Sequence, residues 1–169
     1  MPTAIIFDFD GLIVDTETTI FECWVDFYST HGETLDLADY KDCVGSDFGQ
    51  FDPGKELERR TGKRFDWEEE DRARNAEIRA RLAQQEARPG VRSLIEAAAT
   101  LGLPLAVASS STREWVAGWL ERLDLLGYVA ALRNRDDVAQ IKPAPDLFLA
   151  AAEMLGASPG DTLVFEDSE

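Results

Sequence analysis

The sequence is short of the residues that soft metals and redox chemistry need. Its 169 residues include one histidine, His31, and two cysteines, Cys23 and Cys43. Their spacing matches no zinc or dithiol pattern. Two reduced, partly buried thiols and a solvated histidine at a helix end are the expectation. Long apolar runs are absent too, since no stretch approaches the ~18 residues that a membrane span requires. The run Ala4-Ile5-Ile6-Phe7 stops at Asp8 and no basic segment precedes it, so no signal peptide is read and a reducing cytoplasm is the expected compartment. Bases are scarce: 17 Lys and Arg stand against 33 Asp and Glu, a formal net charge of −16. That balance argues against a nucleic-acid backbone or an anionic membrane as partner, because both require a positive surface. There are no internal repeats and no low-complexity tracts.

What is present is ordinary soluble-globular usage, 44% hydrophobic and 30% charged. A chain of this length hides roughly 70% of its unfolded surface and needs no disulfide staples. Residues 4–7 are continuously apolar, as in a strand covered on both faces. A helix is expected over 15–31, where Ile20, Trp24, Phe27 and Tyr28 share one face and Gly32 is the stop. Short helices follow over about 36–43 and 53–61, ended by Gly45 and Gly62. Asp66, with Glu69 three residues on, opens a long helix to about Ala87 whose polar face carries a Glu70–Arg74 pair. No strand is read in 15–88, so this block is a helical insert. The run Glu68 to Asp71 reads as a solvated helix face, and Trp24, Trp115 and Trp119 as core.

After Arg88-Pro89-Gly90 the pattern changes. A helix over about 91–101 leads to an apolar strand, Leu103 to Ala108. A helix to about Leu123 follows, then a weak strand over Val129 to Leu132, a helix from Pro145-Asp146 to Leu155, and a last apolar strand, Thr162 to Phe165. Alternating βα units with continuously apolar strands predict an α/β protein with a doubly wound parallel sheet. In such sheets ligands bind beyond the carboxyl ends of the strands.

The residues at those ends carry the chemistry. The first strand delivers Asp8 and Asp10, the second Ser109, and the last Glu166 and Asp167; Lys142 stands in the loop after the weak strand. Singly, each acid reads as a cap or turn residue, the serines as an N-cap and the lysine as surface. Jointly they need a counter-ion, because two like charges ~4 Å apart repel by about 4 kcal/mol at an effective dielectric near 20. All the candidate ligands are hard oxygens with no His or Cys at that edge, which selects Mg²⁺ over zinc. Ser109 and Lys142 would then neutralise phosphoryl oxygens. One carboxylate could serve as nucleophile toward phosphorus and a second, two residues on, as general acid and base. A signalling receiver domain shares this inventory. Its acceptor Asp lies on a middle strand and no large helical insert follows its first strand, whereas here the paired aspartates end the first strand and residues 15–88 follow.

The chain resembles the haloacid dehalogenase (HAD) superfamily of hydrolases, in the branch of β-phosphoglucomutase and related sugar-phosphate phosphatases. The resemblance rests on four stretches in the family's order and spacing: Ile6 to Glu17 around Asp8-Phe9-Asp10-Gly11, Ala106-Val107-Ala108-Ser109-Ser110-Ser111, Ile141-Lys142-Pro143-Ala144-Pro145-Asp146, and Val164-Phe165-Glu166-Asp167-Ser168. It covers the whole chain and implies a HAD-like, Rossmannoid core (1–14 and 89–169) with an inserted helical cap (15–88). The implied roles are Asp8 as nucleophile and metal ligand, Asp10 as acid/base with its backbone carbonyl on the metal, Ser109, Ser110 and Lys142 as phosphate binders, and Asp167, with Glu166, on Mg²⁺. Gly45 and Ser46 match the cap loop that closes over substrate. The implied function is a monomeric, Mg²⁺-dependent phosphatase that cleaves a small phosphorylated metabolite through an aspartyl-phosphate. A sugar-phosphate mutase is the alternative, but it would carry a His where Ile20 stands and an Arg where Asp47-Phe48 follow the loop glycine. A dehalogenase is disfavoured because that chemistry uses no metal and lacks the second Asp. The family continues past the acidic motif with a further helix and strand, so the C-terminal part of the core is expected to be missing beyond Glu169. A fragment that binds Mg²⁺ weakly and turns over slowly, or not at all, is the corresponding expectation.

Overall fold

The computed structural model describes residues 1–41 and 51–167. Chain contacts divide it into two units, one formed by residues 1–15 and 86–169 and the other by residues 16–85.

The first unit is built on four parallel strands in the order β3-β2-β1-β4: β1 (Ala4–Phe7), β2 (Leu105–Ala108), β3 (Ala131–Arg133) and β4 (Thr162–Phe165). β1 lies between β2 and β4, with Phe7 in register with both Val107 and Phe165. Every residue of β1 and β2 is buried, which is why both read as uninterrupted apolar runs rather than alternating ones. The expected strands are all present, although β2 starts two residues later than read and β3 spans 131–133 rather than 129–132. Among the described residues β4 is the outer strand beside β1, and Leu163 and Val164 are exposed on it.

Among the described residues, three α-helices pack with these strands in the first unit: α5 (Val91–Thr100), α6 (Arg113–Arg122) and α7 (Asp146–Met154). On one face, Leu147, Ala151 and Ala152 of α7 pack against Ile6, Ala106, Ala108 and Ala131. Small side chains on both partners let helix and sheet approach closely. Thr112 caps α6 by accepting the Trp115 backbone N–H.

The second unit is helical, with α1 (Thr16–Thr30), α2 (Leu37–Tyr40), α3 (Pro53–Thr61) and α4 (Trp67–Leu82). Its core is aromatic: Trp24, Tyr28 and Tyr40 are buried with Leu35 and Leu57, and Ile20, Phe27, Phe65 and Trp67 pack around them. The Tyr28 hydroxyl donates to the Pro53 carbonyl at 2.7 Å, so the one polar atom of that buried ring is satisfied. Asp52 caps α3, Pro53 occupies its first turn, and Gly62 ends it in the left-handed region.

Three expectations need correction in this unit. The helix opened by Asp66 ends at Leu82 and not near Ala87. Leu82 is its last buried residue, and Ala83-Gln84-Gln85-Glu86 offers no apolar side chain large enough to hold another turn against the core. Arg74 pairs with Asp71, not Glu70, because its guanidinium lies 3.6 Å over the Trp24 ring and only the nearer carboxylate can follow it there. His31 is half-buried rather than solvated, edge-on to Phe27 and tilted against Phe65.

Candidate active site

The site assembles at the carboxyl end of the sheet in the first unit. β1 hands the chain to Asp8, whose backbone N–H donates to the Phe165 carbonyl at 2.9 Å and so extends the β1–β4 pairing by one residue. This places Asp8 beside Glu166 and Asp167, which follow β4. The loop over residues 9–14 then folds back on itself, with Gly11 N–H donating to Val14 and Ile13 N–H to Phe9. Gly11 has φ +79°, a conformation that only glycine adopts without strain. The Arg88 guanidinium donates to the Gly11 carbonyl at 2.6 Å and the Arg88 backbone N–H to Ile13, fixing the loop from outside.

Two groupings result. In the first, Lys142 Nζ sits between two carboxylates, in direct contact with Asp8 Oδ1 and 2.9 Å from Glu166 Oε2. Asp8, Glu166 and Asp167 each bring a carboxylate oxygen within 4.8 Å of the others. Burial pushes the Asp8 carboxyl up to about 8 despite the opposing pull of Lys142. At Lys142 burial opposes the charge, but the Asp8 and Glu166 carboxylates outweigh it and raise its pKa. The ammonium therefore stays charged, and it needs only one of its two carboxylates ionised to pair with it. Desolvation, then the neighbouring Glu166 charge, also raises Asp167. Fully ionised, three carboxylates and one ammonium leave two negative charges. That surplus and an all-oxygen donor set fit a hard divalent cation.

The second grouping surrounds Asp10. Its Oδ2 accepts from the Ser109 hydroxyl at 3.1 Å and the Ser111 hydroxyl at 2.6 Å, and its Oδ1 accepts from the Trp115 indole at 3.0 Å. Of the four carboxylates expected at this edge, Asp8, Glu166 and Asp167 form the close cluster. The Asp10 side chain is directed to the β2–α6 connection because three donors are gathered there. Trp115 was assigned to the core; it is half-buried and a direct partner of Asp10. Trp24 and Trp119 are buried as expected.

The other predicted residues fall as follows. Ser109 is fully buried and its hydroxyl also accepts the Ser111 backbone N–H. The Ser110 hydroxyl is buried without a hydrogen-bond partner, as a group awaiting an external acceptor would be. Lys142 contacts the nucleophile candidate itself, closer to the reacting centre than a remote phosphate clamp. Gly45 and Ser46 lie outside the described residues. Sequence reading missed Ser111, Trp115 and Arg88. Ser111 belongs to the serine run after β2 and Trp115 to the first turn of the next helix, so position at the strand's carboxyl end was the available signal; nothing in the sequence marked Arg88.

Comparison with known proteins agrees with this geometry. The family described as haloacid dehalogenase-like hydrolase matches residues 2–169. A Bacillus subtilis (strain 168) protein named "Putative phosphatase YhcW" is 41% identical over 168 residues, spanning 99% of this chain and 76% of that protein. The phosphorylated carbohydrates phosphatase of Thermotoga maritima is 29% identical over 168 residues, spanning 98% of this chain and 76% of its own length. The crystal structure of a hydrolase from Pseudomonas syringae superposes with a TM-score of 0.72 at 30% identity, covering 98% of this chain and 76% of that one. With its parallel sheet, its acidic strand ends and these relatives, the chain belongs to the haloacid dehalogenase-like hydrolases and is a phosphatase of that family.

Proposed function

We propose that the protein is an Mg²⁺-dependent phosphatase that hydrolyses a small phosphorylated metabolite, of the sugar-phosphate class, through a phosphoryl group carried on Asp8. Residues 1–14 and 89–169 act as the catalytic core and 15–88 as the cap. The observation that carries this reading is the placement of Lys142 against Asp8 and Glu166 with Asp167 close by. A buried carboxylate, an ammonium and two further acids form a nucleophile with its own charge-balancing apparatus. Asp8, Glu166 and Asp167, with the Asp10 backbone carbonyl, would hold the cation, which neutralises phosphoryl charge when bound.

The chain's own residues divide the reaction between them. Lys142, Ser109 and Ser110 bind the phosphoryl oxygens and orient phosphorus toward Asp8. An Asp8 carboxylate oxygen attacks phosphorus while the P–O bond to the leaving group breaks, and Asp10 donates its proton to the departing oxygen. Asp10, now ionised, takes a proton from a water that attacks the acyl phosphate. Phosphate departs and the Asp8 carboxylate is restored. Lys142 holds Asp8 in place throughout.

A mutase must return the phosphoryl group to a sugar instead of water. Ile20, at the position where the mutases carry a His, packs against the aromatic core of the second unit, which favours hydrolysis. The protein is expected to work as a cytoplasmic monomer. No helix among the described residues is long and apolar enough to cross a membrane, and that observation is separate from the compartment. Phosphate release should be measured over a panel of phosphorylated sugars and nucleotides with Mg²⁺, with Ca²⁺ and with chelator. Activity on sugar phosphates with Mg²⁺, poor activity with Ca²⁺ and none with chelator is expected. Full activity in chelator would refute the metal-assisted reading.

A further inference from the structure

Asp10 is held by three donors, and they are not equivalent. Oδ2 receives the hydroxyls of Ser109 and Ser111, and Oδ1 receives the indole N–H of Trp115. A hydroxyl both donates and accepts, so either serine can rotate and accept if Oδ2 carries a proton. Ser109 keeps that freedom even though one of its lone pairs is occupied by the Ser111 backbone N–H. An indole N–H only donates. A proton on the Oδ1 lone pair that faces Trp115 would place two hydrogens between the same two heavy atoms, so that lone pair must remain an acceptor.

The indole is also rigidly mounted. Trp115 lies in the first turn of α6, its backbone N–H is bound by the capping Thr112 hydroxyl, and its ring meets the buried Trp119 edge-on at 5.9 Å. The Trp119 ring is in turn covered by the Arg122 guanidinium, 4.5 Å from its centroid. Each of these contacts restrains the indole, and the indole restrains Asp10.

We propose that Trp115 is a positioning residue for this hydrolase: its indole fixes the rotation of the Asp10 carboxylate and presents Oδ2, the oxygen beside Ser109, as the one that exchanges the proton with the leaving group and then with water. This rests on the reading of Asp10 as the acid/base. In the first half-reaction the proton passes from Oδ2 to the leaving oxygen as its bond to phosphorus breaks. In the second, Oδ2 recovers a proton from the attacking water. Oδ1 keeps its bond to Trp115 in both, so the carboxylate does not have to rotate between steps.

The test compares esters whose leaving groups differ in their need for a proton. Trp115→Phe removes the N–H and keeps a ring against Trp119. In the full chain with Mg²⁺, Trp115→Phe should lower kcat/KM, which reports the leaving-group step and not the shared attack by water, about tenfold for an alkyl phosphate, the effect of a misdirected hydrogen-bonded acid. With p-nitrophenyl phosphate, whose phenolate leaves without protonation, the loss in kcat/KM should be less than about twofold. A purely structural role would lower both alike, so equal losses, or none, would overturn the proposal. Asp10→Asn is measured on the same pair. If Asp10→Asn discriminates between the esters and Trp115→Phe does not, the proposal alone falls. If Asp10→Asn does not discriminate, the acid/base reading falls and the proposal with it.

A second arm needs no activity. The indole ¹H–¹⁵N signal of Trp115, identified by its Overhauser contacts to the Trp119 ring, should move toward the free-indole position in Asp10→Ala. An unmoved signal would remove the contact on which the proposal stands.

Discussion

The Asp167 carboxylate occupies the space that a side chain on Gly11 would need: a Cβ at position 11 would lie 2.1 Å from Asp167 Oδ2. The absence of a side chain in the first loop thus sets the position of an acid at the end of another strand. It also explains why a glycine follows the paired aspartates directly.

Gly11→Ala should therefore fail for two reasons. Alanine at φ +79° is strained by roughly 1–2 kcal/mol, and Asp167 must leave its place beside Asp8 and Glu166. Mg²⁺ affinity, read from the metal-induced rise in Tm, should drop by at least about tenfold, because losing one of three carboxylate ligands weakens a site that binds by charge. A variant that melts and binds metal like the parent would contradict this packing.

Lys142 balances one buried acid, Asp8, and one half-buried acid, Glu166. Lys142→Met leaves Asp8 and Glu166 without their ammonium, and removing one member of a buried ion pair costs on the order of 3 kcal/mol. Denaturant unfolding in chelator should show that loss. Millimolar Mg²⁺ should recover part of the stability but none of the turnover, since the phosphoryl oxygens still lack their clamp. Unchanged stability in chelator would mean that Lys142 is not paired in solution.

Two carboxylates should give opposite pH dependences. Glu56, bonded to Arg59 and Arg60, has its carboxyl held down at about 2. Its stabilising contribution is present above the ordinary glutamate value and lost as pH falls toward 2. Glu56→Gln should flatten the acid limb of a stability–pH curve. Asp8, pushed up to about 8 by burial in the metal-free protein, behaves in the reverse sense. Its contribution is present below the ordinary aspartate value and lost as pH rises toward 8. Asp8→Asn should abolish that decline in chelator. Because a bound cation displaces the Asp8 proton, Mg²⁺ affinity should climb with pH until about 8; titrations at several pH values that gave one affinity would contradict the assignment.

Asp10→Asn should leave Asp8 able to accept a phosphoryl group while slowing overall turnover of an unactivated ester by about 10²–10⁴-fold, the usual contribution of a general acid/base. Steady-state phosphate release measures this directly. A loss smaller than tenfold would assign the proton transfer to another group.

How much of this was legible in the sequence depends on what kind of signal each residue leaves. Asp8 follows a fully apolar run and Glu166 and Asp167 a mostly apolar one, and a strand end in a parallel sheet is a place in space as well as in sequence. Their convergence could be read without coordinates. Trp115 could not be. At helical spacing with Trp119 it reads as one apolar face, and only the packed structure shows that the first turn of α6 points an indole N–H at Asp10. The expected Glu70–Arg74 pair failed for a related reason: i,i+4 spacing permits the pair, but the Trp24 ring decides where the guanidinium lies. Arg88 left no local signal, because its partner Gly11 is remote in sequence.

The central claim is that Asp8 carries the phosphoryl group in a metal-dependent reaction. Rapid-quench labelling with a radioactive phosphate ester tests it most directly. The parent chain with Mg²⁺ should acquire acid-stable, hydroxylamine-labile label, and should acquire none in chelator. Asp8→Asn should remain unlabelled under both conditions, since an amide is too weak a nucleophile. Hydroxylamine-labile label on Asp8→Asn, or equal labelling of the parent in chelator, would contradict the account.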